Sequence, residues 1–339
     1  MASKTMMLTG CALALALCAC GKKEETPAAT PAAETAAPAT PTVAVGEPNP
    51  ATPAAGQKLN TGEPVDGEAT LTAPATVGAG GMIEAGWTGP GNSSDYIDLV
   101  PRGNTATSGE ISYAYVRDSV PVAKVRAPTA AGDYDLRYVL QLASERKIKA
   151  TAPITVSAAV ATLTAPAKAE GGEPFATPWT GPNGNGDYID IVPAGHSETS
   201  GEITYAWTRD GAPANLTAPG KAGAYEIRYV LEGPGGRKVL ASSPLAVSAA
   251  TATLKAPDTA AKGSKIKVEW TGPKRRGDYV DLVKKGYTQT SGELTYFYTD
   301  RTSTNELAAP AEAGDYQIRY LLEAPGGRQV LATRPISVR

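Results

Sequence analysis

The chain has 339 residues, including 36 Gly, 28 Pro, 15 Tyr and 2 Phe, a length that suggests two or three globular units and a composition that suits short strands and turns rather than long helices. The one histidine, His196, has no partner for a His-pair metal site, and 32 basic against 34 acidic side chains leave a formal net charge of -2. Most histidine-based catalysis is thereby excluded, and no global field favours nucleic acid.

All three cysteines, Cys11, Cys18 and Cys20, fall at the N-terminus, so the rest of the chain offers no thiol for a disulfide, a zinc site or a nucleophile. Lys4 precedes an apolar run from Met6 to Ala19 that is too short to span a bilayer and fits a secretory signal. The run ends Leu17-Cys18-Ala19-Cys20-Gly21, which resembles the lipobox of bacterial lipoproteins. That resemblance implies a signal peptide over 1–19, cleavage before Cys20 and acyl chains on Cys20. Two or more chains anchor stably where one binds marginally. Gly21, in place of the Asp associated with inner-membrane retention, favours the outer membrane in a Gram-negative host. Residues 20–67 follow as a lipidated cysteine and a disordered linker. From Lys22 to Gly67 the chain is dominated by Ala, Pro, Thr and Glu, with eight prolines and no aromatic residue. Such a segment buries no core and reads as an extended tether.

An internal repeat comes next. Trp-Thr-Gly-Pro occurs at Trp87, Trp179 and Trp270, spaced by 92 and 91 residues. Around it recur Leu-x-Ala-Pro, an Asp-Tyr-(Ile or Val)-Asp-(Leu or Ile)-Val run from Asp95, Asp187 and Asp278, and a closing Ala-Gly-x-Tyr-x-(Ile or Leu)-Arg-Tyr at 131–138, 222–229 and 313–320. Units this long are whole domains, placed at 68–159, 160–250 and 251–339. In the second, β-type runs at 161–165, 175–179, 187–192, 202–208, 214–217, 224–231 and 237–248, the last interrupted at Pro244, alternate with Gly-Pro, Asn-Gly and Pro-Gly-Gly turns. Seven short strands predict an immunoglobulin-like sandwich. The fold class is therefore all-β: three tandem immunoglobulin-like sandwiches after a signal peptide and a tether. Tyr225 stands where such domains carry a tyrosine corner.

Several residues invite a functional reading and receive a structural one. Alternation over 224–231 puts Arg228, the counterpart of Arg137 and Arg319, on the outer face as a solvated or cross-strand-paired arginine beside Glu226. Trp87, Trp179 and Trp270 could stack sugars, but one Trp per unit suits a core. The pairs Asp95/Asp98, Asp187/Asp190 and Asp278/Asp281 point to opposite faces of a strand, which suits neither calcium, needing six to eight oxygens, nor a glycosidase pair. Arg276-Gly277-Asp278 spells an integrin-type tripeptide whose Gly-Asp belongs to a repeated turn.

The string Trp-Thr-Gly-Pro, Gly-Asp-Tyr-Ile-Asp-Ile-Val-Pro-Ala-Gly, Leu-Thr-Ala-Pro and Tyr-Glu-Ile-Arg-Tyr-Val-Leu resembles Ig-like repeats of proteobacterial envelope proteins, some of which also carry a von Willebrand factor A domain. The resemblance covers about 69–339 and contains no such domain, so it implies a fold and an envelope setting but no catalytic or ligand residue. The first unit departs at Gln141 to Lys147, where Gly-Gly-Arg is missing, and the third replaces Thr208-Arg209-Asp210 by Thr299-Asp300-Arg301.

Basic and acidic side chains number 8 and 8 in residues 69–159, 6 and 9 in 160–250, and 14 and 10 in 251–339. Lys262, Lys265, Lys267, Lys274, Arg275, Arg276, Lys284 and Lys285 supply much of the third unit's excess. They are a candidate patch for an anionic envelope polymer, against the plainer reading of a lysine-rich soluble surface. The expectation is a non-enzymatic binding or scaffold lipoprotein, held to the membrane by lipid, with an envelope protein or anionic polymer as partner and no cofactor. The alternative is an accessory or substrate-binding part of an envelope enzyme, or an enzyme with an unrecognised site.

Overall fold

The computed structural model describes residues 59–119 and 122–339. The signal peptide, Cys20 and most of the tether lie outside them. The first repeat contains β1 (Thr70–Thr72), β2 (Thr76–Gly78), β3 (Met82–Thr88), β4 (Tyr96–Pro101), β5 (Ser112–Tyr115), β6 (Val122–Arg126), β7 (Gly132–Gln141) and β8 (Arg146–Ser157). The second contains β9 (Thr162–Leu163), β10 (Lys168–Glu170), β11 (Pro174–Thr177), β12 (Trp179–Thr180), β13 (Tyr188–Pro193), β14 (Thr204–Trp207), β15 (Ala214–Thr217), β16 (Gly223–Leu231) and β17 (Lys238–Ser248). The third contains β18 (Thr253–Lys255), β19 (Thr259–Ala260), β20 (Lys265–Thr271), β21 (Tyr279–Lys284), β22 (Thr295–Tyr298), β23 (Thr304–Ala308), β24 (Gly314–Leu322) and β25 (Gln329–Val338).

Each repeat is an immunoglobulin-like sandwich with one topology. A sheet of order β1-β3-β6 faces one of order β2-β8-β7-β4-β5, and the third repeat copies both as β18-β20-β23 and β19-β25-β24-β21-β22. In the second repeat the smaller sheet separates into the pairs β9/β12 and β11/β15. Pro178 stands at the break. With no N–H it cannot donate to a ladder, whereas the first and third repeats carry Gly86 and Glu269 at that position. The last long strand, β17, runs unbroken through Pro244.

One short strand has no counterpart in the sequence reading. β2, β10 and β19 each pair in parallel with the last strand of their repeat. Two or three residues are too few for a periodic signal.

Period-2 burial builds the core. In β20, Ile266, Val268 and Trp270 are buried while Lys265, Lys267 and Glu269 face out. The three core clusters are centred on these strands and on Leu136/Tyr138, Ile227/Tyr229 and Ile318/Tyr320. The tyrosine corner is present in all three repeats: Tyr134, Tyr225 and Tyr316 donate to the carbonyls of Ala130, Lys221 and Glu312 at 3.1, 2.8 and 3.1 Å.

The solvated face expected over 224–231 is not solvated. From Ile227 to Leu231 every residue of β16 is buried. The loop after β13 folds over the outer face: Tyr188 Oη donates to Thr199 O at 2.8 Å, and Arg228 Nη1 donates to Glu198 O at 2.7 Å. Beneath it, Arg228 pairs across the strands with Asp190, Nε–Oδ1 3.1 Å and Nη2–Oδ2 2.7 Å, not with Glu226. Arg137/Asp98 and Arg319/Asp281 repeat the two-pronged pair.

Consecutive repeats meet through one device. Leu231, from the second repeat, is fully buried in the first repeat's core cluster, over Gly80, where an added Cβ would lie 2.7 Å from its Cδ1. Thr129 N donates to Pro234 O at 3.2 Å, and Arg126 Nη2 to Glu232 O at 2.5 Å. At the next junction Leu322 lies over Gly172 and Gly220 N donates to Pro325 O at 3.0 Å. Residues 59–67, grouped with the tether by composition, lie against the first repeat. Asn92 exchanges hydrogen bonds with Val65 at 3.0 Å in both directions, and Asp66 pairs with Lys147 and Lys149 at 2.9 and 2.8 Å.

Candidate functional site

The acidic pairs are committed to the fold. Asp95, Asp187 and Asp278 precede their strands, are buried, and accept from the hydroxyls of Tyr138, Tyr229 and Tyr320 at 2.7, 2.9 and 3.0 Å. Each also accepts from backbone N–H groups, for Asp278 those of Arg275 and Glu323 at 3.0 Å. The integrin-type tripeptide thus has a carboxylate that no partner can reach. Burial raises the Asp98, Asp190 and Asp281 carboxyls above their ordinary range against the pull of the paired guanidinium. Among the described residues no three His, Cys, Asp or Glu side chains gather as a metal site.

Trp87 and Trp270 are buried and Trp179 is half-buried, packed on Tyr138, Phe297 and Tyr229 with ring centroids 5.8, 4.9 and 5.6 Å apart. Their neighbours Gly89, Gly181 and Gly272, repeated in register, pass under a tyrosine ring; an added Cβ at Gly272 would stand 2.7 Å from the Tyr320 ring. His196 is half-buried, its Nε2 2.6 Å from Ser200 O.

The basic residues of the third repeat are spread over several places. Lys265 and Lys267 are on β20, paired with Glu306 and Glu269 at 2.9 Å. Lys284 and Lys285 follow at the end of β21, 3.8 and 3.5 Å from Glu312 and Asp315. Arg275 belongs to the junction, donating to Gly171 O and lying 3.5 Å from Glu170. Lys262, Lys274 and Arg276 are exposed without an ion pair among the described residues.

The arrangement that recurs on the surface is aromatic. It sits on the edge strand of each larger sheet, β5, β14 and β22, which pair on one side only. Register places Tyr96, Tyr188 and Tyr279 opposite Tyr115, Trp207 and Tyr298, and Asp98, Asp190 and Asp281 opposite Tyr113, Tyr205 and Tyr296. The three rings of a repeat therefore share the outer face beside the covering loop. They meet edge to face: Tyr113/Tyr115 at 5.4 Å and 82°, Tyr205/Trp207 at 5.1 Å and 77°, Tyr296/Tyr298 at 5.6 Å and 82°. Tyr113, Tyr205, Tyr296 and Tyr298 are each about half exposed, at 52, 47, 49 and 56%, unusual for rings this size.

Charged groups frame each cluster. Arg146, Arg237 and Arg328 lie 5.8, 5.5 and 5.5 Å over Tyr96, Tyr188 and Tyr279, and the latter two pair with Glu232 and Glu323 at 2.5 and 2.6 Å. Burial pushes the Tyr96, Tyr188 and Tyr279 hydroxyls up, opposed by these guanidinium groups. Glu202 and Glu293 each hold a buried Oε2 that accepts no hydrogen bond among the described residues. In the third repeat Tyr279, Tyr296, Tyr298, Glu293, Glu323 and Arg328 line a cleft of about 140 Å³.

The sequence reading passed over these rings. Their signal was present as aromatic-x-aromatic at 113/115, 205/207 and 296/298. Within a strand that spacing places both rings on one face.

No protein-family model matches the chain, and no curated protein matches it. Among solved structures it is similar to the FN1–FN3 domains of chicken CNTN1, at 12% identity over 83% of this chain and 100% of that one, with a TM-score of 0.22. The three N-terminal domains of the bacteriophage RB49 outer capsid protein Hoc align at 11% identity over 80% of this chain and 98% of that one, TM-score 0.25. Escherichia coli α2-macroglobulin aligns at 14% over 80% of this chain and 23% of that one, TM-score 0.23. The fold assignment rests on sheet order and register rather than on these likenesses.

Proposed function

We propose that the chain is an envelope-anchored, non-enzymatic binding lipoprotein that displays three Ig-like modules to an envelope partner. The observation that carries this reading is the threefold recurrence, on an unpaired sheet edge, of an aromatic trio framed by an arginine, with Tyr113, Tyr205, Tyr296 and Tyr298 about half exposed. Exposed rings of this kind cost solubility unless a partner covers them, and aromatic side chains with arginine are enriched where proteins bind. The recurring carboxylates and arginines are instead buried in pairs that hold the sheets and their covering loops. Anchoring through Cys20 rests on the Leu17 to Cys20 motif. The third repeat's exposed Lys274 and Arg276 offer a minor contact to anionic polymer.

Two measurements test this. The N-terminus of the mature protein should be acylated Cys20 by mass spectrometry, and the Cys20→Ser chain should move to the aqueous phase on detergent partitioning; unchanged partitioning overturns the anchor. The chain immobilised on beads should retain envelope material, and Tyr113→Ala, Tyr205→Ala and Tyr296→Ala together should abolish retention with the melting temperature preserved. Full retention by the triple variant rejects the aromatic edge as the binding surface.

A further inference from the structure

The three aromatic edges differ in one respect. In the first repeat Arg117 lies over Tyr115, 4.2 Å from the ring centroid, held by Ser93 O at 3.1 Å and Asp118 at 3.4 Å. In the second, Arg209 lies over Trp207 at 4.8 Å. The third repeat has Asp300 at this position, after Tyr298 and Thr299, and among the described residues no guanidinium lies over Tyr298. Tyr298 is also the most exposed of the edge rings, and it makes no ring contact with Tyr279 among the described residues, although register sets the two opposite each other. Between them the cleft opens.

We propose that this cleft takes an arginine or lysine side chain presented by a partner protein, an inference that rests on the aromatic edge being a binding surface. The first two repeats show what the ring face accepts, because each supplies a guanidinium to it from its own chain. A ring face attracts such a cation through its quadrupole. The third repeat lacks the internal cation and keeps the rest of the receptor. Glu293 brings a buried Oε2 with no donor to the cleft wall, and an orphaned carboxylate oxygen gains from an ammonium or guanidinium N–H. Glu323 is neutralised by Arg328 at 2.6 Å, whereas Glu293, also on the cleft wall, has no ion pair among the described residues. The edge strand β22 has free backbone groups alongside, which an extended peptide carrying the cation can pair with.

The test uses the full-length chain and three probes: acetyl-Ala-Arg-Ala-amide, acetyl-Ala-Gln-Ala-amide and a neutral N-acetylglucosamine trimer, with the tyrosine ring resonances followed by NMR. The arginine peptide should saturate one site and shift Tyr296 and Tyr298, with the glutamine peptide at least tenfold weaker. Asp300→Arg, which restores the sister repeats' own cation, should weaken the arginine peptide tenfold or more. Arg209→Asp should uncover Trp207 and raise the number of sites from one to two. Equal affinity for the two peptides, or an Asp300→Arg chain that binds as before, overturns the proposal. Shifts at the same rings with the trimer and none with the arginine peptide also overturn it while leaving the aromatic edge a binding surface. Loss of that broader reading would instead show in the bead experiment with the triple tyrosine variant.

Discussion

Asp190 and Arg228 show what a single residue contributes here and how far sequence reading reaches it. Alternation identifies the outward face of β16 correctly, but not the loop that closes over that face, because the bonds that hold it run to backbone carbonyls such as Glu198 O and leave no mark on side-chain identity. Removing one partner leaves a buried charge unpaired, at a cost of about 3–5 kcal/mol. Arg228→Met should therefore lower stability by that order in urea unfolding, and Arg228→Met with Asp190→Leu should recover most of it. In the single variant the raised Asp190 carboxyl loses its opposing guanidinium and rises further. A folded-state value above the unfolded one means stability is highest at acid pH and falls as pH rises, so the variant should be partly rescued by acidification; a pH-independent deficit would contradict this. Tyr320 carries the same sign at the other end of the scale. Burial first, with the Asp278 carboxylate adding to it, pushes its hydroxyl up to about 12 from an ordinary 10. The folded state holds that proton longer, so its stabilisation is complete below pH 10 and is lost between pH 10 and 12, by about 3 kcal/mol. Tyr320→Phe should flatten this alkaline loss in the third repeat, measured by circular dichroism against pH.

At the scale of an element, Trp-Thr-Gly-Pro illustrates a motif legible as a repeat but not as a reason. Its glycine is required by the tyrosine ring that crosses it, a contact from a residue 48 positions later in the case of Gly272 and Tyr320. Gly272→Ala should cost about 1–3 kcal/mol through overpacking, visible as a lower melting temperature, whereas alanine at exposed Gly286 meets nothing within 4 Å but carries backbone strain from a φ of +81°. An equal, small loss at both positions would argue against ring crowding. Most strands were visible as alternating runs between turn residues. The parallel β10 was not, being three residues long, and neither was the break at Pro178, where a proline inside an expected strand is itself the cue. The aromatic edge was legible in principle, as a spacing of two repeated three times, but its exposure depends on β5, β14 and β22 being edge strands, which only sheet order reveals.

For the molecule as a whole, the 91 to 92 residue period anticipated sheets confined to three stretches, and it said nothing about what passes between them. The junction leucines do. Leu231 is fully buried against the first repeat, so residues 160–250 expressed alone should fold cooperatively yet unfold at lower urea than within the chain, by about 2 kcal/mol for the newly exposed side chain. Identical midpoints would mean the repeats are energetically independent. Leu231→Ala should lower the unfolding midpoint of the first repeat as well as the second, the nearest-neighbour behaviour of stacked units.

The junction is directional, and its two ends are not alike. The middle repeat carries both the Leu231 hairpin with Pro234-Gly235-Gly236 and the Gly171-Gly172 turn that receives the next one, while the first repeat's hairpin lacks the Gly-Gly and the third repeat's receiving turn carries Lys262. Only the middle unit is therefore compatible with itself on both sides. A second copy of residues 160–250 spliced after the first would set the Leu231 hairpin on the Gly172 turn, two parts that already meet Gly80 and Leu322 here, and the aromatic edges would grow from three to four. The number of repeats is thus a quantity that a simple in-frame duplication of the middle unit can change.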